Sequence, residues 1–267
     1  MCACSSVSPA VHTTQPRIIS SENNPVPIAI TCIKKPRIDY FMYHYVRSPD
    51  PRDNASTRDL SIDPQDFRTH MSYMRDRANE WKIALINGAD LISSLKSGCF
   101  PADHIWIFTS DDGWIDTYDQ LVPIAREYRV PFFLGIITDK LDAKWFVTRS
   151  QVQEISRDPL FMISSHSVGH TEQDTMTREQ EEATMCESRT TLESLIQKPI
   201  ESYIYPVWKI SKNSTAIAQK CGYQIAWSTG YGTKWDETSL SRYTANRIRI
   251  HNTTTLDLFR NILKDTK

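Results

Sequence analysis

Two adjacent carboxylates, Asp111 and Asp112, form the stretch of this sequence best suited to chemistry. They follow a short apolar run rich in β-formers and precede a segment with apolar residues at helical spacing. This order predicts a strand, an acidic turn and a helix. Because neighbouring negative charges repel each other, such a pair is most useful where a cation or a reaction employs it. The alternative interpretation is a surface turn in which Asp112 caps the following helix.

A second polar pair, His166 and His170, follows another apolar run at residues 160–163. One aspartate and two histidines from two strand ends make a plausible three-ligand set for a divalent metal. A coordination position would remain open for water, as catalytic zinc requires. The two stretches together favour a metal site over a surface turn.

The elements that must position these residues alternate regularly between strand and helix. Residues 1–36 lack periodicity and are rich in Ser, Thr, Pro and Asn, which predicts a flexible tail or tether. Residues 37–267 are predicted to form one α/β domain with a mostly parallel sheet, in which a strand over 37–46 is followed by a polar loop over 47–61. About seven or eight strands over roughly 230 residues favour a barrel.

In such barrels reactive residues collect at the C-terminal ends of the strands. The candidate residues that the pattern places there are His44, Asp111, Asp112, His166, His170, Tyr205 and Pro206.

Composition narrows the possible partners. The 267 residues are 40% hydrophobic and carry a net charge of −1, so no bulk charge points to nucleic acid. There is no 18-residue apolar run, and no intact signal peptide is visible. The six cysteines are scattered, without a Cys-x-x-Cys pair. The start around Cys2 is compatible either with a lipid-anchored mature lipoprotein or with a cytoplasmic protein.

The Thr-x-Asp-Asp-Gly and His-Ser-x-x-His stretches, with a later Tyr-Pro strand end, resemble the polysaccharide deacetylases. These are the NodB-homology enzymes of carbohydrate esterase family four, and the resemblance covers roughly residues 37–265. It implies a distorted (β/α) barrel of about seven mostly parallel strands and metal-dependent hydrolysis of N-acetyl groups from an amino-sugar polysaccharide. Carried over by position, Asp111 is the general base. The metal, expected to be Zn²⁺ with Ni²⁺ or Co²⁺ as alternatives, is held by Asp112, His166 and His170.

The segment Met42–Val46 looks like the first-strand motif of the subgroup that deacetylates poly-β-1,6-N-acetylglucosamine in biofilms. In that subgroup the motif order is permuted and the early histidine is the general acid, which implies this role for His44; a hydrogen-bonded core histidine is the alternative. Arg247 lies where the subgroup carries an arginine that orients the base; an exposed arginine at a strand end is the alternative. His251 is the competing candidate for the acid, through a loose match to the family's terminal Leu-x-x-His. The family's Arg-x-Pro stretch is absent, and Ser110 stands where a phenylalanine is usual.

The remaining predicted roles concern the acetyl group and the sugar. The backbone N–H of Val207 is expected to bind the oxyanion, and the other predicted substrate contacts are Tyr205, Pro206, Trp208 and Trp114. For the tryptophans, core packing is the alternative. The resemblance implies an exported, periplasmic or cell-surface protein. Alternative functions are deacetylation of chitin or peptidoglycan, hydrolysis of a small amide, and glycan binding without activity.

Overall fold

The computed structural model describes residues 32–229 and 241–265, and within them one large sheet forms the centre of the fold. The strands of this sheet are β1 (Arg37–Tyr43), β4 (Ala84–Leu85), β5 (His104–Ser110), β6 (Phe132–Ile136), β7 (Phe161–Ser165), β8 (Ser202–Ile204), β9 (Ile225–Trp227) and β10 (Ile248–Arg249). Seven of them are parallel and lie in the spatial order β10-β1-β5-β6-β7-β8-β9, and the short β4 pairs with the first half of β5.

Helices connect the strands, as parallel pairing requires. They are α1 (Ala55–Asp59), α2 (Pro64–Trp81), α3 (Gly88–Ser97), α4 (Val122–Tyr128), α5 (Arg149–Ile155), α6 (Arg178–Ile196), α7 (Ser214–Lys220) and α8 (Leu256–Asp265). The starts of α5 and α6 are fixed by capping boxes at Thr148 and Thr177, which the sequence marks with a glutamine three residues later. None of the described helices is both long and apolar enough to cross a membrane.

The segment around β10 joins the two ends of the curved sheet. Ala245 forms a parallel bridge to Trp227 of β9, and three residues later Ile248 pairs with Phe41 of β1. The sheet therefore curls into the predicted distorted (β/α) barrel. Since every ladder in it is parallel, the carboxyl ends of the strands meet at one edge, where the candidate residues lie.

The first strand is shorter than predicted. It breaks at His44, and Tyr45–Val46 (β2) pairs instead with Ser61–Ile62 (β3) in a separate two-stranded sheet. The predicted polar loop over 47–61 consequently contains β3's first residue and helix α1, which begins where the Asn54 side chain accepts a hydrogen bond from the Thr57 N–H. The break turns His44 out of the ladder and towards the end of β5.

Two disulfides tie the outer elements together. Cys32–Cys99 links the first described residue to the loop before β5, and Ile33 next to it bridges Phe100. Cys186–Cys221 joins helix α6 to the end of α7. Contacts with the barrel thus begin a few residues before β1.

Candidate metal centre and active site

Asp112, His166 and His170 converge at the carboxyl edge of the barrel. Their ligand atoms all lie within 4.8 Å of one another. Both imidazole Nε2 atoms approach the same oxygen, Asp112 Oδ1, at 3.2 Å from His166 and 3.3 Å from His170. The carboxylate is therefore turned towards the two histidines, and Asp112 does not act as the helix cap of the alternative interpretation.

The chemistry of these three donors fits a divalent metal. His166 Nδ1 lies 2.8 Å from the Ile204 carbonyl oxygen. Because a carbonyl only accepts, Nδ1 must carry the proton, and in the neutral form of the ring the Nε2 lone pair is then available to a metal on the side of Asp112. This is the orientation that a buried backbone acceptor gives to a metal-binding histidine. Two imidazoles and one carboxylate suit Zn²⁺ and neighbouring transition metals.

Asp111 lies beside this group but is held by a different partner. Arg247 donates a hydrogen bond to each of its oxygens, from Nη1 to Oδ1 at 2.6 Å and from Nη2 to Oδ2 at 2.7 Å. The guanidinium also donates to Thr109 Oγ1 and to the Ser228 carbonyl, and its side chain is only 1% exposed. Burial alone would raise the pKa of Asp111, but Arg247, together with His44 and His166, outweighs burial and holds that pKa below its usual range. Asp111 is thus kept ionised and fixed in orientation.

Of the two candidate acids, His44 lies at the site. Its Nε2 is 3.7 Å from Asp111 Oδ2, and its buried Nδ1 has no hydrogen-bond partner among the described residues. Burial lowers the pKa of His44, although Asp111 and Asp112 act in the opposite direction. His251 is instead paired through Nδ1 with Asp59, at 2.9 Å.

The loops that carry these groups adopt unusual backbone conformations. Among the described non-glycine residues, nine have positive φ, and three of these are ordinary helix C-caps. The other six lie in loops beyond the ends of β5, β6, β7 and β8; they are Asp112, Asp142, Trp145, Ser167, His170 and Val207. For a β-branched residue such as Val207, with φ 53°, this is a rare and strained state. Strain of this kind is typical of binding and catalytic loops.

Gly113 makes the turn after the carboxylates possible. It has φ 73°, and a Cβ there would lie 2.9 Å from Ile136 Cδ1. No other residue type fits this backbone without a shift.

The site opens into a cavity of about 600 Å³, the catalytic cavity. Of the predicted substrate contacts, Tyr205, Val207 and Trp114 line it. The Tyr205 hydroxyl is buried without a hydrogen-bond partner among the described residues. Pro206 begins the turn that carries Val207, but it is not among the residues lining this cavity. The side chain of Trp208 lies outside the described part of the chain.

The predicted stacking role of Trp114 has a competing explanation in the structure. Its ring stacks on Tyr45 at 4.8 Å and on Phe146 at 4.0 Å between centroids. Its Nε1 donates to Asp112 Oδ2 at 2.9 Å. Trp114 therefore orients a candidate metal ligand, in addition to lining the cavity.

Sequence reasoning missed two cations that line the catalytic cavity, Lys140 and Arg249. A signal was present for Arg249, since residues two apart on a strand point to the same face and Arg247 was already a candidate. Arg249 forms an ion pair with Asp59 at 3.0 Å. Lys140 follows β6 in a short helical turn, and its sequence context carries no comparable signal.

Comparisons with known proteins identify relatives of this chain by sequence and by fold. Residues 100–226 match the family model described as Polysaccharide deacetylase. YxkH of Bacillus subtilis, a protein named as a polysaccharide deacetylase, is 23% identical over 217 residues, which are 81% of this chain and 72% of YxkH.

Solved structures share the fold. The Streptococcus pyogenes deacetylase PplD, in complex with acetate, has a TM-score of 0.76 at 20% identity, over 87% of this chain and 99% of its own. IcaB from Ammonifex degensii has a TM-score of 0.70 at 14% identity, over 86% and 97%. The matched family model includes the strand ends that carry Asp111, Asp112, His166 and His170. By these comparisons the chain contains a polysaccharide deacetylase domain, which the family model matches over residues 100–226.

Proposed function

We propose that this protein is a metal-dependent N-deacetylase of an amino-sugar polysaccharide, with poly-β-1,6-N-acetylglucosamine or a related glycan as substrate. The observation that supports the proposal is that two adjacent carboxylates have different partners. Asp112 faces two histidines, while Asp111 faces Arg247. One carboxylate is therefore placed to hold a cation, and the other is kept ionised, as a base must be.

In the proposed reaction, Asp111 takes a proton from the water that attacks the acetyl carbonyl. A divalent ion held by Asp112, His166 and His170 would supply a Lewis acid and an acidified water. The Val207 N–H donates to the developing oxyanion from the turn that follows β8. His44, in its protonated form, gives its proton to the departing amine. Arg247 keeps Asp111 ionised and immobile throughout.

Two features support a β-1,6-linked amino sugar as substrate. His44 follows the first strand and lies 3.7 Å from Asp111, where the permuted subgroup would place its acid. Arg247 reaches Asp111 from the end of the barrel, as the same resemblance implies. The structural likeness to IcaB and to a de-N-acetylase from Aggregatibacter actinomycetemcomitans is compatible with this choice.

The proposal is tested by acetate release from β-1,6-linked N-acetylglucosamine oligomers and from chitin oligomers, with bound metal measured in parallel. We expect release from the β-1,6 series by metal-loaded wild type. Asp111→Asn should abolish release but retain the metal, whereas Asp112→Ala should lose the metal. Release from chitin oligomers alone would move the substrate to chitin-like polymers. Metal retention by Asp112→Ala would overturn the ligand assignment, and release from neither series would favour a small amide or a binding function.

We further propose that the protein works outside the cytoplasm, at the cell surface or in the periplasm. The two disulfides support this location, since disulfides persist in oxidising compartments. A lipid anchor through Cys2 stays a prediction, because residues 1–31 lie outside the described part of the chain. The expected result is that the protein, isolated from its native cells, contains no free thiol at Cys186 or Cys221 by mass spectrometry after alkylation.

A further inference from the structure

A second cavity adjoins the catalytic cavity and has no part in the mechanism above. This side cavity has a volume of about 510 Å³, and the residues that matter for its chemistry are Tyr45, Arg47, Asp53, Trp114, Asp116 and Trp145. Tyr45, Thr57 and Trp114 also line the catalytic cavity. The stacked pair of Tyr45 and Trp114 is thus common to the two cavities, which places them next to each other along one surface.

Trp145 is the unusual member of the side cavity. It is 65% exposed and is one of two large hydrophobic side chains that are exposed among the described residues. Its φ of 74° is costly for a bulky residue. The fold thus holds an apolar ring in water on a strained backbone, and neither feature contributes to folding stability. A ligand that covers the ring would account for both.

The backbone around Trp145 is held rigidly. The Ile115 N–H donates to the Trp145 carbonyl at 2.8 Å, and the Val147 N–H donates to the Gly113 carbonyl at 3.0 Å. Residues 145–147 are therefore tied to the turn that directly follows the two catalytic-site carboxylates. The backbone that carries the Trp145 ring is fixed relative to the reaction centre, and little backbone entropy remains to be lost on binding.

Polar groups complete the side cavity. Arg47 lies 4.9 Å over the Tyr45 ring, and its Nη2 contacts both oxygens of Asp53, at 2.9 and 3.0 Å. An exposed aromatic ring beside ordered charged groups suits a sugar, which offers an apolar ring face and hydroxyls that donate and accept. The Lys144 ammonium is 4.9 Å from the Trp145 ring centroid, yet most of the ring stays exposed.

We propose that the side cavity is a second sugar-binding subsite, in which Trp145 stacks on a residue of the polymer adjacent to the one being deacetylated. This rests on the proposed function, because it takes the catalytic cavity as the place of the reacting residue. The subsite makes the protein selective for chains over single sugars. Trp145 is accordingly a specificity-determining residue and takes no part in the chemical step.

The test compares a one-residue ligand, the methyl glycoside of N-acetylglucosamine, with N-acetylglucosamine pentamers of both linkages. Binding to the full metal-loaded chain is measured by calorimetry, and acetate release is followed separately. We expect Trp145→Ala to weaken pentamer binding about tenfold, equivalent to about 1.4 kcal/mol, and to leave the methyl glycoside unchanged. Trp145→Tyr should retain the preference for the pentamer. Leu258→Ala is the matched control, since Leu258 is the other exposed apolar side chain, at 45%.

Three results would overturn the subsite: an equal loss for both ligands in Trp145→Ala, an unchanged pentamer affinity in that variant, or a wild type that binds neither pentamer. The outcomes also separate the two proposals. Pentamer binding that depends on Trp145 without any acetate release would leave the subsite in place and refute the reaction. Acetate release and pentamer binding that do not depend on Trp145 would support the reaction and refute the subsite.

Discussion

Replacing Arg247 by methionine tests the central electrostatic argument of the site. The side chain of Arg247 is 1% exposed and that of Asp111 is 4% exposed, so the variant would leave a carboxylate buried without its counter-charge. It would also remove the hydrogen bonds to Thr109 and to the Ser228 carbonyl. Removing one partner of a buried ion pair typically costs about 3–5 kcal/mol. We expect Arg247→Met to lower the free energy of unfolding by this amount at neutral pH.

The pair is best measured by a double-mutant cycle with Asp111→Asn. Denaturant unfolding is followed in the presence of a chelator, so that no bound cation compensates the lost charge. The double variant Arg247→Met/Asp111→Asn has no buried charge at these two positions. Its loss of unfolding free energy should therefore be about 2–3 kcal/mol smaller than the sum of the losses in the two single variants. Arg126→Met is the control, because Arg126 forms an ion pair of 2.7 Å with Asp158 at the surface and should contribute little.

Additive effects of the two single variants would refute this reasoning. They would show that Arg247 and Asp111 do not depend on each other energetically, so the guanidinium could not be what keeps the base ionised. A cost for Arg247→Met no larger than that for Arg126→Met would lead to the same conclusion.

Three further predictions concern the acid, a buried carboxyl and a disulfide. His44→Ala should lower kcat for acetate release about 10²–10⁴-fold while His251→Ala retains activity, and the reverse pattern would move the acid role to His251. Burial raises the pKa of Asp116 to about 6, so the folded state binds its proton more tightly than the unfolded state does. The stability that this group contributes is present below about pH 4 and is lost as the pH rises through 6. Asp116→Asn should therefore raise the free energy of unfolding at pH 7 by about 3 kcal/mol. If the dependence of stability on pH were the same in the variant and the wild type, this prediction would be contradicted. Replacing Cys186 and Cys221 together by alanine should lower the free energy of unfolding by about 3–4 kcal/mol, because the unfolded state gains entropy. Denaturant titration measures this loss, and an unchanged midpoint would show that the crosslink does not form.

The order of elements could be predicted from the sequence because it depends on local patterns. Apolar runs between polar turns indicated the strands, and the capping residues Thr148 and Thr177 marked the starts of two helices. In a parallel barrel this order alone places the residues after each strand at one edge. The sequence alone therefore groups four residues at this edge, namely Asp111, Asp112, His166 and His170.

Where the backbone departs from the structure that the local pattern predicts, contacts with residues distant in the sequence determine its conformation. His44 leaves the first strand because Tyr45–Val46 pairs with Ser61–Ile62, and this long-range pairing has no local signal. The strained conformations of Trp145 and Val207 are likewise maintained by their surroundings, against local preference. These are positions at which a function is expected to override the rules that otherwise govern the sequence.

The sequence by itself determined which residue types stand at the strand ends, and so which chemistry is available there. The resemblance assigned different roles to the two aspartates by position, but only the tertiary structure gives the physical reason, since it decides which carboxylate faces the histidines and which faces Arg247. The two aspartates are neighbours in the chain and chemically identical, so local sequence pattern alone does not distinguish their environments. Their roles differ because the backbone turns sharply between them, and because an arginine 136 residues away reaches only one of them.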